Sequence, residues 1–245
     1  MCKFFSFVGD GYGNFRFSDW ATRKSLLGTD GNPDSHTFIL RGVAPKQQDR
    51  WSRYEFNPLT GVFTVDQGVE GHDHGAAEKW VRSRDWSTIV EPLIIKPIVH
   101  PFKDRQPPKR ITKAHIALVK EWASVRASVW DSVRSSVRSS AGASVWASVW
   151  ASAGASVRSS VWDSVWASVR SSVRSSAGAS VRSSVWDSVW DSVWAYNSSF
   201  FDIDYGYDYS NLNKLWNLGL VPSFDGKTWR LHGGPEGEVL WKGEI

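Results

Sequence analysis

From Ala123 to Trp194 one apolar position recurs every fourth residue without a break. The unit is [Ala/Ser/Asp]-Ser-[Val/Ala]-[Trp/Arg/Gly], and it occurs eighteen times in succession. Its second position is always serine, and its third is valine except in three Ala-Gly units, Ala141-Gly142, Ala153-Gly154 and Ala177-Gly178. The chain before the array alternates instead with a period of two in several places, the signature of half-buried strands. Lys3–Val8 and Asn14–Phe17 read as a hairpin around Gly9-Asp10-Gly11-Tyr12-Gly13. Arg53–Phe56 and Val62–Val65 read as a second, around Asn57-Pro58-Leu59-Thr60-Gly61. Ser18 or Asp19 caps a short helix that Gly28 ends, and a second helix carries Trp80 across Gly75–Arg84. Ile89–Val99 suits an edge or irregular strand because it holds prolines. His100–Arg110 is a basic, proline-rich connector, and Thr112 opens a helix over Lys113–Trp122 that leads into the array. Beyond the array, a tyrosine-rich stretch (Asp202–Tyr209) precedes short strands near 218–222, Thr228–Leu231 and Val239–Trp241.

These patterns predict an α+β domain over residues 1–122, a repeat over 123–194 and a C-terminal β cap over 195–245. Two forms compete for the repeat. In a β-solenoid with three four-residue sides and about 12 residues per coil, strand alternation would turn valine inward. Serine, tryptophan and arginine would then stack outside in columns. In a long α-helix or helical hairpins, serine, valine and tryptophan each cost up to about 0.7 kcal/mol relative to alanine. A four-residue period also drifts around a 3.6-residue turn. The solenoid is therefore the expected form.

Composition sharpens the picture of the array. Eight of the sixteen tryptophans lie in it, with seven arginines and four aspartates, so it holds three of the four net positive charges. Aromatic faces beside guanidinium groups suit stacking of bases and tracking of phosphates, or a protein hot spot. The candidate ligand-binding residues are Trp130, Trp146, Trp150, Trp162, Trp166, Trp186 and Trp190. With them go Arg134, Arg138, Arg158, Arg170, Arg174 and Arg182. Partners of this surface would be nucleic acid, a nucleotide, a protein or a second copy of the repeat.

Catalytic signals are thin. Cys2 could become an N-terminal nucleophile, His72-Asp73-His74 has two imidazoles at a metal-binding spacing, and Gly9–Gly13 could cradle phosphate. Asp34-Ser35-His36 juxtaposes three catalytic residue types. None has the remaining partners its chemistry needs, so each reads as part of a strand, loop or turn. No cofactor or metal is expected, and no catalytic residue is assigned. The function expected is a non-enzymatic binding or structural role. The alternative is an enzyme in the N-terminal domain with the repeat as an oligomerisation module, where Asp10, Asp34, His36, His100 and Arg105 would be the polar residues of interest.

The Ser-Val-Trp-Asp-Ser-Val-Trp stretch at 184–190, Tyr54-Glu55-Phe56-Asn57-Pro58-Leu59-Thr60, Trp194-Ala195-Tyr196 and Gly219-Leu220-Val221-Pro222-Ser223-Phe224-Asp225-Gly226 carry a resemblance. The chain resembles a family of tetrapeptide-repeat proteins from phage and uncultured-microbe genomes, over most of its length. The resemblance implies a phage or mobile-element setting and no particular activity. With no apolar run of membrane-spanning length and no signal-peptide pattern, the expectation is a soluble protein without membrane partners. Its place would be the cytoplasm, that of the host cell if phage-encoded.

Overall fold

The computed structural model describes residues 5–26, 32–90, 93–140, 153–173 and 179–245. They form helices and two antiparallel sheets, in two compact units. One unit takes residues 1–97 with 137–153, and the other 98–136 with 154–245.

The first unit is built on a four-stranded sheet of order β2-β1-β3-β4, with β1 Phe5–Gly9, β2 Phe15–Arg16, β3 Ser52–Asn57 and β4 Val62–Gln67. Both hairpins follow from local turn chemistry. The Asp10 carboxylate accepts from the backbone N–H groups of Tyr12 and Asn14 and from the Asn14 amide, closing the β1–β2 turn. The Asn57 side chain accepts from Leu59 N and Thr60 N, and Gly61 takes φ +70°, which a side chain would resist. Alternation along β1 then sends Phe5 and Phe7 to one face and Val8 to the other. The phenylalanine face packs on Trp80, from α3 (His74–Arg82), and on Trp86. The Phe5–Trp86 and Phe7–Trp80 centroids lie 4.8 and 5.0 Å apart. Val8 packs on the opposite face with Ile39 and Leu40 from α2 (His36–Ile39) and the turn after it. Helix α1 (Trp20–Ser25) is capped by Asp19, whose carboxylate accepts from Thr22 N. It delivers Arg23 to a buried bidentate pair with Asp34, at 2.5 and 3.1 Å. The apolar segment after Trp86 does not form the edge strand expected over Ile89–Val99: residues 94–100 are irregular, as prolines favour.

The solenoid expectation is overturned. The described part of the array, most of it in the second unit, is helical apart from a turn at 127–128. Helix α4 (Lys113–Arg126) runs from a Thr112–His115 capping box straight through the first tetrapeptide. Then come α5 (Val129–Ser140), helical residues 153–157, a π turn (Arg158–Trp162), α6 (Asp163–Val173) and α7 (Ala179–Ser198). The Ala-Gly units at 141–142 and 177–178 lie outside the described residues.

Three effects defeat the argument against the helix. First, burial outweighs propensity. Val157, Val161, Val165, Val169 and Val173 are all buried, as are Val185, Val189 and Val193. Each gains about 1.5–3 kcal/mol against a propensity cost of at most about 0.7. Second, drift is tolerable over short helices. A four-residue step overshoots a 3.6-residue turn by about 40°, so three valines stay within one face. In the longer run, the π turn closes its hydrogen bonds one residue later and takes part of the drift back. Third, the invariant serines satisfy themselves. Ser188 donates to the carbonyl three residues earlier, and Ser192 to the one four earlier.

The valine stripe places the fourth position of each unit beside it, and there the tryptophans of two helices meet. Trp162 lies 4.8 Å from Trp190, and Trp166 lies 4.6 Å from Trp186, both edge to face. The earlier residue of one helix meets the later of the other, so the helices run antiparallel. Trp190–Trp194 (5.8 Å) and Trp130–Trp194 (4.9 Å) extend the seam to α5. The array helices also carry the C-terminal part. A sheet of order β5-β6-β7 (Val221–Phe224, Trp229–Gly233, Glu238–Gly243) packs through β5 on α7. Helix α8 (Ser210–Asn217), not anticipated from sequence, packs on α4, burying Leu212, Leu215 and Trp216.

The seam sets a stability hierarchy. Trp162→Ala removes a side chain that is 1% exposed and touches three other indoles. It should cost about 3–5 kcal/mol by chemical denaturation. Trp130→Ala, at the open end, should cost no more than about half as much, and equal losses would refute the seam as drawn.

Candidate functional site

Among the described residues the outward columns expected of a solenoid do not form, and the tryptophans assigned to them are redistributed by the helical seam. Trp162 is fully enclosed, so it cannot meet a ligand. Trp166 and Trp190 are half-buried against their neighbours. Trp130 and Trp186 keep 45% and 39% of their surface exposed. Arg158 and Arg170 are exposed on the helix that carries Trp162 and Trp166, one unit before the first and one after the second. Helical spacing therefore puts Arg158, Trp162, Trp166 and Arg170 on neighbouring positions of one stripe about 18 Å long. Arg134, Arg138 and Arg182 lie on described helices, but their side chains fall outside the description. Trp146, Trp150 and Arg174 lie outside the described residues altogether, as does Cys2.

One array arginine has another task. Arg126 forms a 2.5 Å ion pair with Asp191 and lies 5.7 Å from the centre of the Phe224 ring. Burial pushes the Asp191 carboxyl above its ordinary value, against the pull of Arg126. That pair ties α4 to α7.

The invariant serine is the functional feature that the sequence reading passed over. Ser188 Oγ accepts from the backbone N–H of Phe224 at 2.9 Å. Ser172 Oγ donates to Gly237 O at 2.6 Å, and Ser132 Oγ donates to Tyr205 O. Each joins an array helix to the backbone of the C-terminal segment. The recurrence of serine at the second position of every unit is the signal, which the solenoid expectation places in outward columns.

The polar candidates of the first unit are occupied structurally. Asp34 holds Arg23, while His36 turns away, its Nε2 3.0 Å from Tyr54 O and its Nδ1 3.5 Å from Asp66. Asp34-Ser35-His36 is thus no triad. His72 Nδ1 meets Ser52 Oγ at 2.8 Å, His74 Nδ1 meets the Tyr54 hydroxyl at 3.0 Å, and Asp73 between them caps α3 through Ala76 N. Among the described residues no group of three or more His, Cys, Asp or Glu side chains is placed to hold a metal. Asp10 is consumed by its turn. In the second unit, His100 Nδ1 accepts from Phe102 N, and Arg105 donates to Asp104 O. Burial, aided by Lys103, holds the His100 imidazole below its usual pKa.

A Ser–His pair that no sequence motif announced lies between β5 and β6. Ser223 Oγ is 2.8 Å from His232 Nε2, and His232 Nδ1 is 3.0 Å from Gly237 O. The carbonyl can only accept, so Nδ1 carries the proton and Nε2 accepts from serine. The geometry is that of a nucleophile and its base, but both side chains are completely buried. It is a polar staple between strands that keeps the imidazole neutral. No helix among the described residues is long and apolar enough to cross a membrane.

Burial pushes the His232 pKa down to about 4, against about 6.5 in an unfolded chain. Between these values the unfolded chain binds a proton that the folded chain refuses. The staple's stability is therefore complete above about pH 6.5 and is lost as pH falls toward 4, by roughly 3 kcal/mol. His232→Gln should flatten the slope of unfolding free energy over that window, and an unchanged slope would remove His232 as its source. No protein-family model, curated protein or solved structure matches this chain.

Proposed function

We propose that this is a non-enzymatic binding protein of phage or mobile-element type. In this reading the tetrapeptide array is a helical scaffold, and its exposed tryptophans and arginines take an anionic partner, single-stranded nucleic acid. The observation that carries the reading is the division of labour along the seam. Trp162 is spent on packing, yet Trp130 and Trp186 keep large exposed faces, and Arg158 and Arg170 stand free in solvent on the same array. Exposed indoles in a basic repeat supply both elements of sequence-tolerant binding, a stacking face and a phosphate contact. The enzyme alternative is weaker. Asp10, Asp34 and His36 are spent on turns, ion pairs and backbone carbonyls.

The test is tryptophan fluorescence during titration with a thymidine oligonucleotide. Binding should quench emission and weaken steeply between about 50 and 200 mM salt. Trp130→Ala with Trp186→Ala should weaken it roughly tenfold or more, measured on protein whose circular dichroism shows the helices intact, because both indoles also belong to the seam. Arg158→Gln with Arg170→Gln should lower the salt dependence. Absence of salt-sensitive binding, or a double tryptophan variant that binds as well as the parent, would overturn the reading and leave a protein partner or a purely structural role.

A further inference from the structure

The outer edge of β7 is open. Among the described residues, the order β5-β6-β7 gives it a neighbour on one side only, and most of its own residues are exposed, Val239 and Leu240 by 36% and 39%. An unpaired strand edge with apolar side chains is a template for another strand. Beside it lies an open groove of about 490 Å³, lined by Ser172 and Arg230 with Val239, Leu240, Trp241 and Lys242.

The sequence of β7 says which strand. Glu238-Val239-Leu240-Trp241-Lys242 is complementary to itself when run antiparallel. With Leu240 on a two-fold axis, Glu238 of each copy faces Lys242 of the other, and Val239 faces Trp241. Both charged pairs are attractive, and both apolar pairs join a β-branched to an aromatic residue, a favourable cross-strand combination. Lysine on an edge usually repels further pairing. Here the repulsion is answered only by a strand carrying glutamate four residues earlier. The β6–β7 register shifts between Leu231 and His232, which leaves Leu240 without an opposite residue on β6. The self-pair gives it one. The outer edge of β4 offers no such match, because Val62–Gln67 contains Asp66 and no cation to answer it.

We propose that β7 pairs antiparallel with β7 of a second copy of this chain, joining two three-stranded sheets into one of six strands. The interface is isologous, so it closes at a dimer and does not propagate.

Sedimentation velocity of the full chain from roughly 1 to 100 µM reads the equilibrium directly. A concentration-dependent dimer is expected. Glu238→Lys and Lys242→Glu each place like charges opposite one another twice, and each should weaken dimerisation about tenfold or more. The double variant restores both pairs in reversed sense and should return to near the parent. As a second measurement, Leu240→Cys in a Cys2→Ser background should form a disulfide-linked dimer on mild oxidation, and Val62→Cys should not. A monomer at every concentration overturns the proposal. So does a dimer indifferent to both single reversals, a double variant as weak as either single, or crosslinking at position 62 equal to that at 240.

Discussion

A four-residue repeat wound on a helix of 3.6 residues per turn rotates about 40° with every unit, and the second unit is organised around that mismatch. If the array were one straight helix, its valines would sweep around the axis and no partner could cover them. The described array is instead cut into lengths over which the sweep stays within one face. Where the run is longest, from Val157 to Val173, a π turn at Arg158–Trp162 holds the stripe together, and all five valines are buried. The tryptophans one position further on inherit the same alignment. They interlock because both helices of the hairpin carry the same period and so stay in step across it.

Serine makes this arrangement compatible with burial. A hydroxyl inside a helical bundle would cost free energy unless hydrogen-bonded, and the repeat supplies one in every unit. Along α7 the hydroxyls of Ser188 and Ser192 return to preceding carbonyls. Ser188 then still has a lone pair for Phe224 N, which brings β5 against the helix. The C-terminal sheet is therefore held partly by the repeat's own polar atoms. Its interior needs a neutral histidine at position 232 for the same reason, since a charged imidazole would have no counter-ion there.

The parts legible in the sequence are those dictated locally. The β1–β2 and β3–β4 hairpins follow from Asp10, Asn57 and Gly61, whose side chains or lack of one act within a few residues. The caps at Asp19 and Asp73 are of the same kind. The array was illegible because its period is ambiguous. Four is even, so it satisfies strand alternation, and it lies close enough to 3.6 to satisfy a short helix. Only partners distant in sequence decide between them, and Trp162 meeting Trp190 is such a partner. The candidate site was misread with it: a solenoid would have exposed every tryptophan, whereas the helical seam divides them into buried and exposed. The Ser223–His232 staple was hidden because its members stand on neighbouring strands with no shared motif.

Repetition raises a further problem, the choice of register. Sliding one helix of the hairpin by a single unit would again set valine beside valine, and another serine would take the place of Ser188 at Phe224 N or of Ser172 at Gly237 O. Asp187, one unit before Asp191, could likewise replace it at Arg126. What a slip changes is the fourth position of the unit. Moved one way, the 157–173 run would carry Arg158 into the place where Trp162 is enclosed by indoles, and a guanidinium buried there without a carboxylate would be costly. Moved the other way, it would carry Arg170 into the place of Trp166, whose ring stands 4.6 Å from that of Trp186. Gly237 takes φ +66°, and a Cβ there would come within 2.9 Å of Ser168, so the sheet can approach that helix closely only with glycine at this point. The valines and serines thus supply buried surface and polar contacts in any register, while the order of tryptophan and arginine along the array selects one alignment among near-equivalents.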